Sequence, residues 1–190
     1  VPAAIDTLPS RRGDSPNSRI KDMERIEYRD VIDKSQWGDG PWQSEPDKVQ
    51  WQDEATGLPC LIVRNHMGGF CGYVGVPLLH PAYEADYGDI LVDVHGGLTY
   101  ANKCSPGPEN ESICHKPAEG ESDEVWWLGF DCLHAGDFFP KMNELRANSP
   151  KLQTIHDEYK DLIPNDIYRD IAYVTKECEQ LAIQLQELVP

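Results

Sequence analysis

Two short stretches of this chain set imidazoles and carboxylates against glycine and apolar residues. They are Asp93-Val94-His95-Gly96-Gly97 and Asp131-Cys132-Leu133-His134-Ala135-Gly136-Asp137. Ionisable groups inside runs apolar enough to be buried are costly unless they are paired, metal-bound or catalytic. His95, His134 and Asp131 are ligand types for a divalent ion such as zinc or manganese, with Asp93 and Asp137 beside them. Along an extended strand Asp93 and His95 share a face, because strand side chains alternate. A cation held there would acidify a bound water toward neutrality and supply a nucleophile for hydrolysis. His95, Asp131, His134 and Asp137 are therefore the candidate catalytic residues, and His95, His134 and Asp131 the candidate metal ligands.

Other chemistries use the same residues. Cys132 has the type of a nucleophile, with His95 or His134 as base and Asp131 or Asp137 to orient it. Cys104, Cys114 and His115, with Cys132 or His134, are the residue types of a structural zinc site, although their spacing is irregular for a zinc ribbon. Asp-x-His-Gly also occurs in metallophosphoesterases, but the Gly-Asn-His-Asp segment expected further along such a chain is absent. The plain structural alternative is that both histidines lock loops onto a sheet through hydrogen bonds to Asp.

These residues need elements to position them. Leu58–Arg64 and Phe70–Pro77 read as two strands joined by the turn-forming Asn65-His66-Met67-Gly68-Gly69. Gly72 and Gly75 inside the second strand point to a bulge or to close approach of another backbone. Ile90–His95 reads as a third strand, Leu98–Tyr100 as a fourth and Val125–Asp131 as the last, with a long irregular connection over 101–124. Lys21–Gln36 fits a short helix or an edge strand. The Gly-Pro and Glu-Pro breaks make 37–51 a loop pinned by Trp37, Trp42 and Trp51. Trp42, Trp51, Tyr73 and Tyr100 are the aromatics available to wall a ligand pocket. Met142–Ile163 reads as helical, interrupted at Pro150. A C-terminal helix capped by Asn165 or Asp166 carries Ile167, Ile171, Val174, Cys178, Leu181, Leu185 and Leu188 at alternating spacings of four and three. That seam lies across the sheet or pairs with a twin to form a homodimer.

The resulting expectation is an α+β domain over 23–190, a mostly antiparallel sheet with a long C-terminal helix packed on it. It is preceded by an extended polar arm over 1–22. The 190 residues suffice for one sizeable core. The 17 basic residues against 33 acidic ones leave a formal charge of −16, which repels nucleic-acid phosphate and anionic membranes. No apolar run reaches the roughly 18 residues of a membrane span, and no secretory signal pattern opens the sequence. Six cysteines without a Cys-x-x-Cys pair read as reduced, mostly buried thiols of a cytoplasmic protein.

Several segments occur together in a recognisable set. They include Gly40-Pro41-Trp42-Gln43, Glu45-Pro46-Asp47-Lys48-Val49-Gln50-Trp51, Thr56–Arg64 and Cys71-Gly72-Tyr73-Val74-Gly75-Val76. Val94–Tyr100, Trp126–Cys132, His134-Ala135-Gly136-Asp137, and Tyr168-Arg169-Asp170 before Tyr173-Val174 complete it. Over residues 37–185 the chain resembles an uncharacterised family of small proteins encoded by bacteriophages and prophages. The resemblance implies a phage context in a bacterial host cell and carries no catalytic residue with it. Two functions follow as expectations. One is metal-assisted hydrolysis of a small polar or nucleotide-like molecule. The other is a non-enzymatic accessory or counter-defence protein that binds a host protein or ligand, or a minor virion component.

Overall fold

The computed structural model describes residues 25–159 and 166–188. The arm expected over 1–22 lies outside them. Six strands form one antiparallel sheet: β1 (Ile26–Tyr28), β2 (Lys48–Gln52), β3 (Pro59–Arg64), β4 (Phe70–Pro77), β5 (Tyr100–Lys103) and β6 (Val125–Asp131). Their spatial order is β1-β2-β3-β4-β6-β5. Three α-helices follow among the described residues: α1 (Lys141–Ala147), α2 (Pro150–Tyr159) and α3 (Ile171–Glu187). The fold is thus α+β, with the C-terminal helix laid on the sheet.

The β3–β4 hairpin forms where turn chemistry and apolar runs place it, with Arg64 opposite Phe70 and Cys60 opposite Val74. β4 continues onto β6, Cys71 opposite Asp131 and Pro77 opposite Val125. On one face Val49, Cys60, Ile62, Val74, Leu128 and Phe130 meet the α3 seam of Val174, Cys178, Leu181 and Leu185. Those four seam residues are fully buried, so this part of the seam is covered by the chain's own sheet. Gly72 is what lets the helix settle: a Cβ there would stand 2.5 Å from the Phe130 ring and 2.7 Å from Cys178 Sγ.

Five expectations need correction. The fourth strand is β5 over Tyr100–Lys103 rather than Leu98–Tyr100, so the irregular connection begins after Lys103. Ile90–His95 is not a strand. Ile90, Val92 and Val94 do point into the core, but the segment's backbone bonds to α3 side chains, not to a neighbouring strand. Gln184 accepts from the backbone N–H of Asp93 and donates to its carbonyl, and Glu177 accepts the His95 N–H. Residues 48–51, read as loop, belong to the paired strand β2. The alternation was disguised because its inward-facing polar residues, Lys48 and Gln50, are themselves buried. The helix cap is Asp170, accepting from Tyr173 N, while Ile167 instead bridges Asp137 in parallel. Finally, Cys104 and Cys114 form a disulfide, so the thiols are not all reduced and the proposed zinc set loses both sulfurs.

That disulfide closes the loop covering the sheet's second face, where Leu61, Tyr73, Val125 and Trp127 pack with Ile113. Lys48 Nζ donates to the carbonyls of Glu109 and Cys114, and Gln50 exchanges two hydrogen bonds with the Lys116 backbone. Burial pushes the Lys48 ammonium down to about 8, with the Glu109 charge partly opposing the shift.

Gly72→Ala is expected to cost about 1–3 kcal/mol, because the added methyl must push Phe130 or Cys178 aside. Thermal unfolding of the variant, read against wild type, measures it.

Candidate functional site

After β6 the chain turns through Leu133–Gly136 and delivers Asp137 to the start of the C-terminal segment. The turn is held by Leu133 N and His134 N, which donate to Asp131 Oδ1 (3.1 Å) and Asp137 Oδ2 (3.0 Å). Gly136, at φ +94, supplies the left-handed backbone that brings Asp137 inward. Opposite, Val94–Gly97 makes a tight turn closed by Gly97 N donating to Val94 O. Gly96 sits at φ +68, and a Cβ there would overlap the His134 ring. A side chain at 96 would therefore keep the two histidine loops apart.

His95 and His134 meet edge to face, ring centroids 5.5 Å apart. His95 Nε2 lies 2.8 Å from Asp137 Oδ2, and its Nδ1 lies 3.0 Å from the Tyr173 hydroxyl. Arg169 Nε donates to the other Asp137 oxygen at 2.9 Å, with its guanidinium over the Tyr173 ring. One ligand atom from each of His95, His134 and Asp137 lies within 4.8 Å of the other two, an arrangement able to hold a metal ion. His134 Nδ1 is buried without a hydrogen-bond partner, 3.8 Å from Asp137 Oδ2 and 3.9 Å from Asp131 Oδ1. Buried ring nitrogens are ordinarily paired, so this one stands out within the group.

The electrostatics centre on Asp137, whose side chain is only 2 % exposed. Burial alone would raise its pKa. Hydrogen bonds from His95, Arg169 and the His134 amide outweigh burial and hold the carboxyl below its ordinary 3.8. Tyr173 is shifted the other way, raised by burial and by the nearby Glu177 charge, against Arg169.

The remaining sequence candidates fall elsewhere. Asp131 stands at the edge of the group. Its oxygens are held by Thr99 Oγ1 at 2.8 Å and by Leu133 N, and it is not among the three clustered ligands. Asp93 is outside that group too. Cys132 is buried, and burial first, then the Asp137 charge, raises its thiol well above the usual range, surroundings that disfavour the thiolate. Trp42 is buried between Phe138 and Tyr168, its indole N–H given to Gly38 O. Trp51 packs in the core under Arg25. Tyr73 and Tyr100 stack edge to face on the second face of the sheet. Among the described residues none of these four aromatics bonds to or stacks on His95, His134 or Asp137.

Arg169, Tyr173 and Glu177 are the site residues that motif reading missed. Their spacing of four, ending on a helix, was the available signal, since such residues share one face. No protein-family model, curated protein or solved structure matches this chain.

Asp137→Asn is expected to lower stability by about 1–3 kcal/mol, the range for hydrogen bonds to a charged group. Because the folded carboxyl titrates below 3.8, the unfolded chain binds more protons than the folded one between the two values. Its stabilisation is thus present above 3.8 and lost as the pH falls through the folded value. Acid-unfolding curves of wild type and variant should converge at low pH and separate above it.

Proposed function

We propose that the chain is a metal-assisted hydrolase of a small polar or nucleotide-like molecule, with His95, His134 and Asp137 as the cation's protein ligands. The observation carrying this reading is that one ligand atom each from His95, His134 and Asp137 comes within 4.8 Å of the others, with His134 Nδ1 buried and unpaired. Two imidazoles and a carboxylate suit zinc or manganese. Three protein ligands leave a coordination position open, and the cation's contribution would be Lewis acidity toward water and substrate.

Each neighbour has a role in that scheme. For His95 Nε2 to be a ligand it must give up the proton it shares with Asp137, the ring proton then sitting on Nδ1, which donates to the Tyr173 oxygen and fixes the ring. Arg169 holds Asp137 by Nε alone; its terminal nitrogens make no hydrogen bond among the described residues and remain able to meet an anionic oxygen. Asp131, about a quarter exposed and next to His134, is placed to accept a proton at the mouth. A phage-encoded origin and a bacterial cytoplasm accompany this proposal through the sequence resemblance alone.

Protein purified without added metal should contain close to one equivalent of zinc or manganese by elemental analysis, and His134→Ala should lose it. Iron(II) suits the same ligand set, and the analysis separates the three metals. Absence of metal, with His95→Ala and His134→Ala changing only the melting temperature, would make the group a structural clamp.

The formal charge of −16 favours one second reading, an accessory protein that binds a basic host protein. Retention of such a partner at low salt and its release at high salt would support it.

A further inference from the structure

The sheet's second face, opposite α3, carries a cleft of about 720 Å³. It is separate from the histidine group and lies within the volume range of small-molecule sites. Val63 and Tyr73 of the β3–β4 hairpin and Trp37 of the N-terminal segment line it, and Ile113 closes it from the disulfide-bonded loop. That wall is fixed at both ends: Cys104 is bonded to Cys114, and the buried Lys48 ammonium holds two of the loop's carbonyls.

The charges in the cleft divide into two sets. Arg64 and Asp47 at the base are already used. Asp47 is bonded by Arg64, Lys34 and the amides of Val31 and Ile32, and Arg64 by Asp47, Glu45, Tyr168 and Gly68. The acidic residues Asp33, Glu111 and Glu144 also line the cleft, against Lys141. Glu111 makes no side-chain bond among the described residues. Asp33 is bonded locally by Ser35, through its backbone N–H and its side chain, and among the described residues the Glu144 carboxylate accepts from the Trp37 indole at 3.2 Å. The lining therefore combines apolar and aromatic side chains with carboxylates that keep acceptor capacity, beside the single lysine Lys141.

We propose that this cleft binds a small organic cation, an ammonium group on a compact aromatic or alkyl body. The body covers the Val63, Ile113 and Tyr73 surface while the ammonium donates to Glu111 and Glu144. Burying an apolar surface gives affinity and the carboxylates give selectivity for positive charge. An anion of the same shape would face repulsion from the carboxylates and from the chain's overall charge.

Calorimetric titration with phenethylamine, 2-phenylethanol and 3-phenylpropionate at low salt tests this. Saturable one-to-one binding of the amine, roughly tenfold weaker binding of the alcohol and none of the acid are expected. Glu111→Gln/Glu144→Gln, which keeps an acceptor for Trp37, should weaken the amine by roughly tenfold or more at an unchanged melting temperature. His134→Ala should leave amine binding intact, so the result is independent of the metal proposal. No saturable amine binding, equal binding of amine and alcohol, or an unaffected double variant would overturn the assignment. So would capture of a basic peptide that the amine fails to displace.

Discussion

The buried guanidinium of Arg64 is the constraint on which the rest of this structure hangs. Its side chain is wholly inaccessible, and every nitrogen is engaged. Nε bonds Asp47, one terminal nitrogen bonds Gly68 O and the Tyr168 hydroxyl, and the other bonds Glu45 and Pro46 O. Its face lies 4.0 Å over the Phe70 ring. An unpaired charge in this position would cost several kcal/mol, so no partner can leave without penalty. The partners come from four places: the loop before β2, the hairpin turn, the sheet and the segment before α3. One side chain at the end of β3 thereby ties the loop before β2 and the hairpin to the segment before α3.

From that tie the histidine group follows in steps. Glu45, already on Arg64 and Tyr168, accepts the Ile171 N–H with its other oxygen and so anchors the start of α3. Once α3 is anchored, Tyr173 and Glu177 occupy fixed places one turn apart, and they take the ring nitrogen and the backbone N–H of His95. Arg169, just before the helix, reaches Asp137. The site is therefore assembled from loops, and its precision comes from a helix and a sheet held together elsewhere.

The two faces of the sheet solve different problems. The α3 face is apolar and closes by ordinary side-chain packing, with Gly72 removing the one Cβ that would obstruct it. The other face buries Lys48 and Gln50, which an apolar layer could not satisfy. A loop whose own carbonyls and amides serve as partners covers them, and the disulfide reduces the freedom that such a loop would otherwise keep. This division explains why a segment with little regular structure, 104–124, lies over a sheet.

The strands Phe70–Pro77 and Val125–Asp131, the amphipathic seam of α3, and the His-Gly and His-Ala-Gly-Asp segments were legible in the amino-acid order. Each depends on local periodicity or turn chemistry, which neighbours in the chain determine. Strand β2 was hidden because burial of Lys48 and Gln50 depends on partners some sixty residues away. Ile90–His95 has a strand's residues but bonds to helix side chains, a choice that only the position of α3 makes. The grouping of His95, His134 and Asp137, with Arg169 and Tyr173 around them, is likewise tertiary. Residue type states what each side chain can ligate or donate. Which of them come within a few ångströms depends on long-range burial and on charges that must be paired, and no local pattern encodes that.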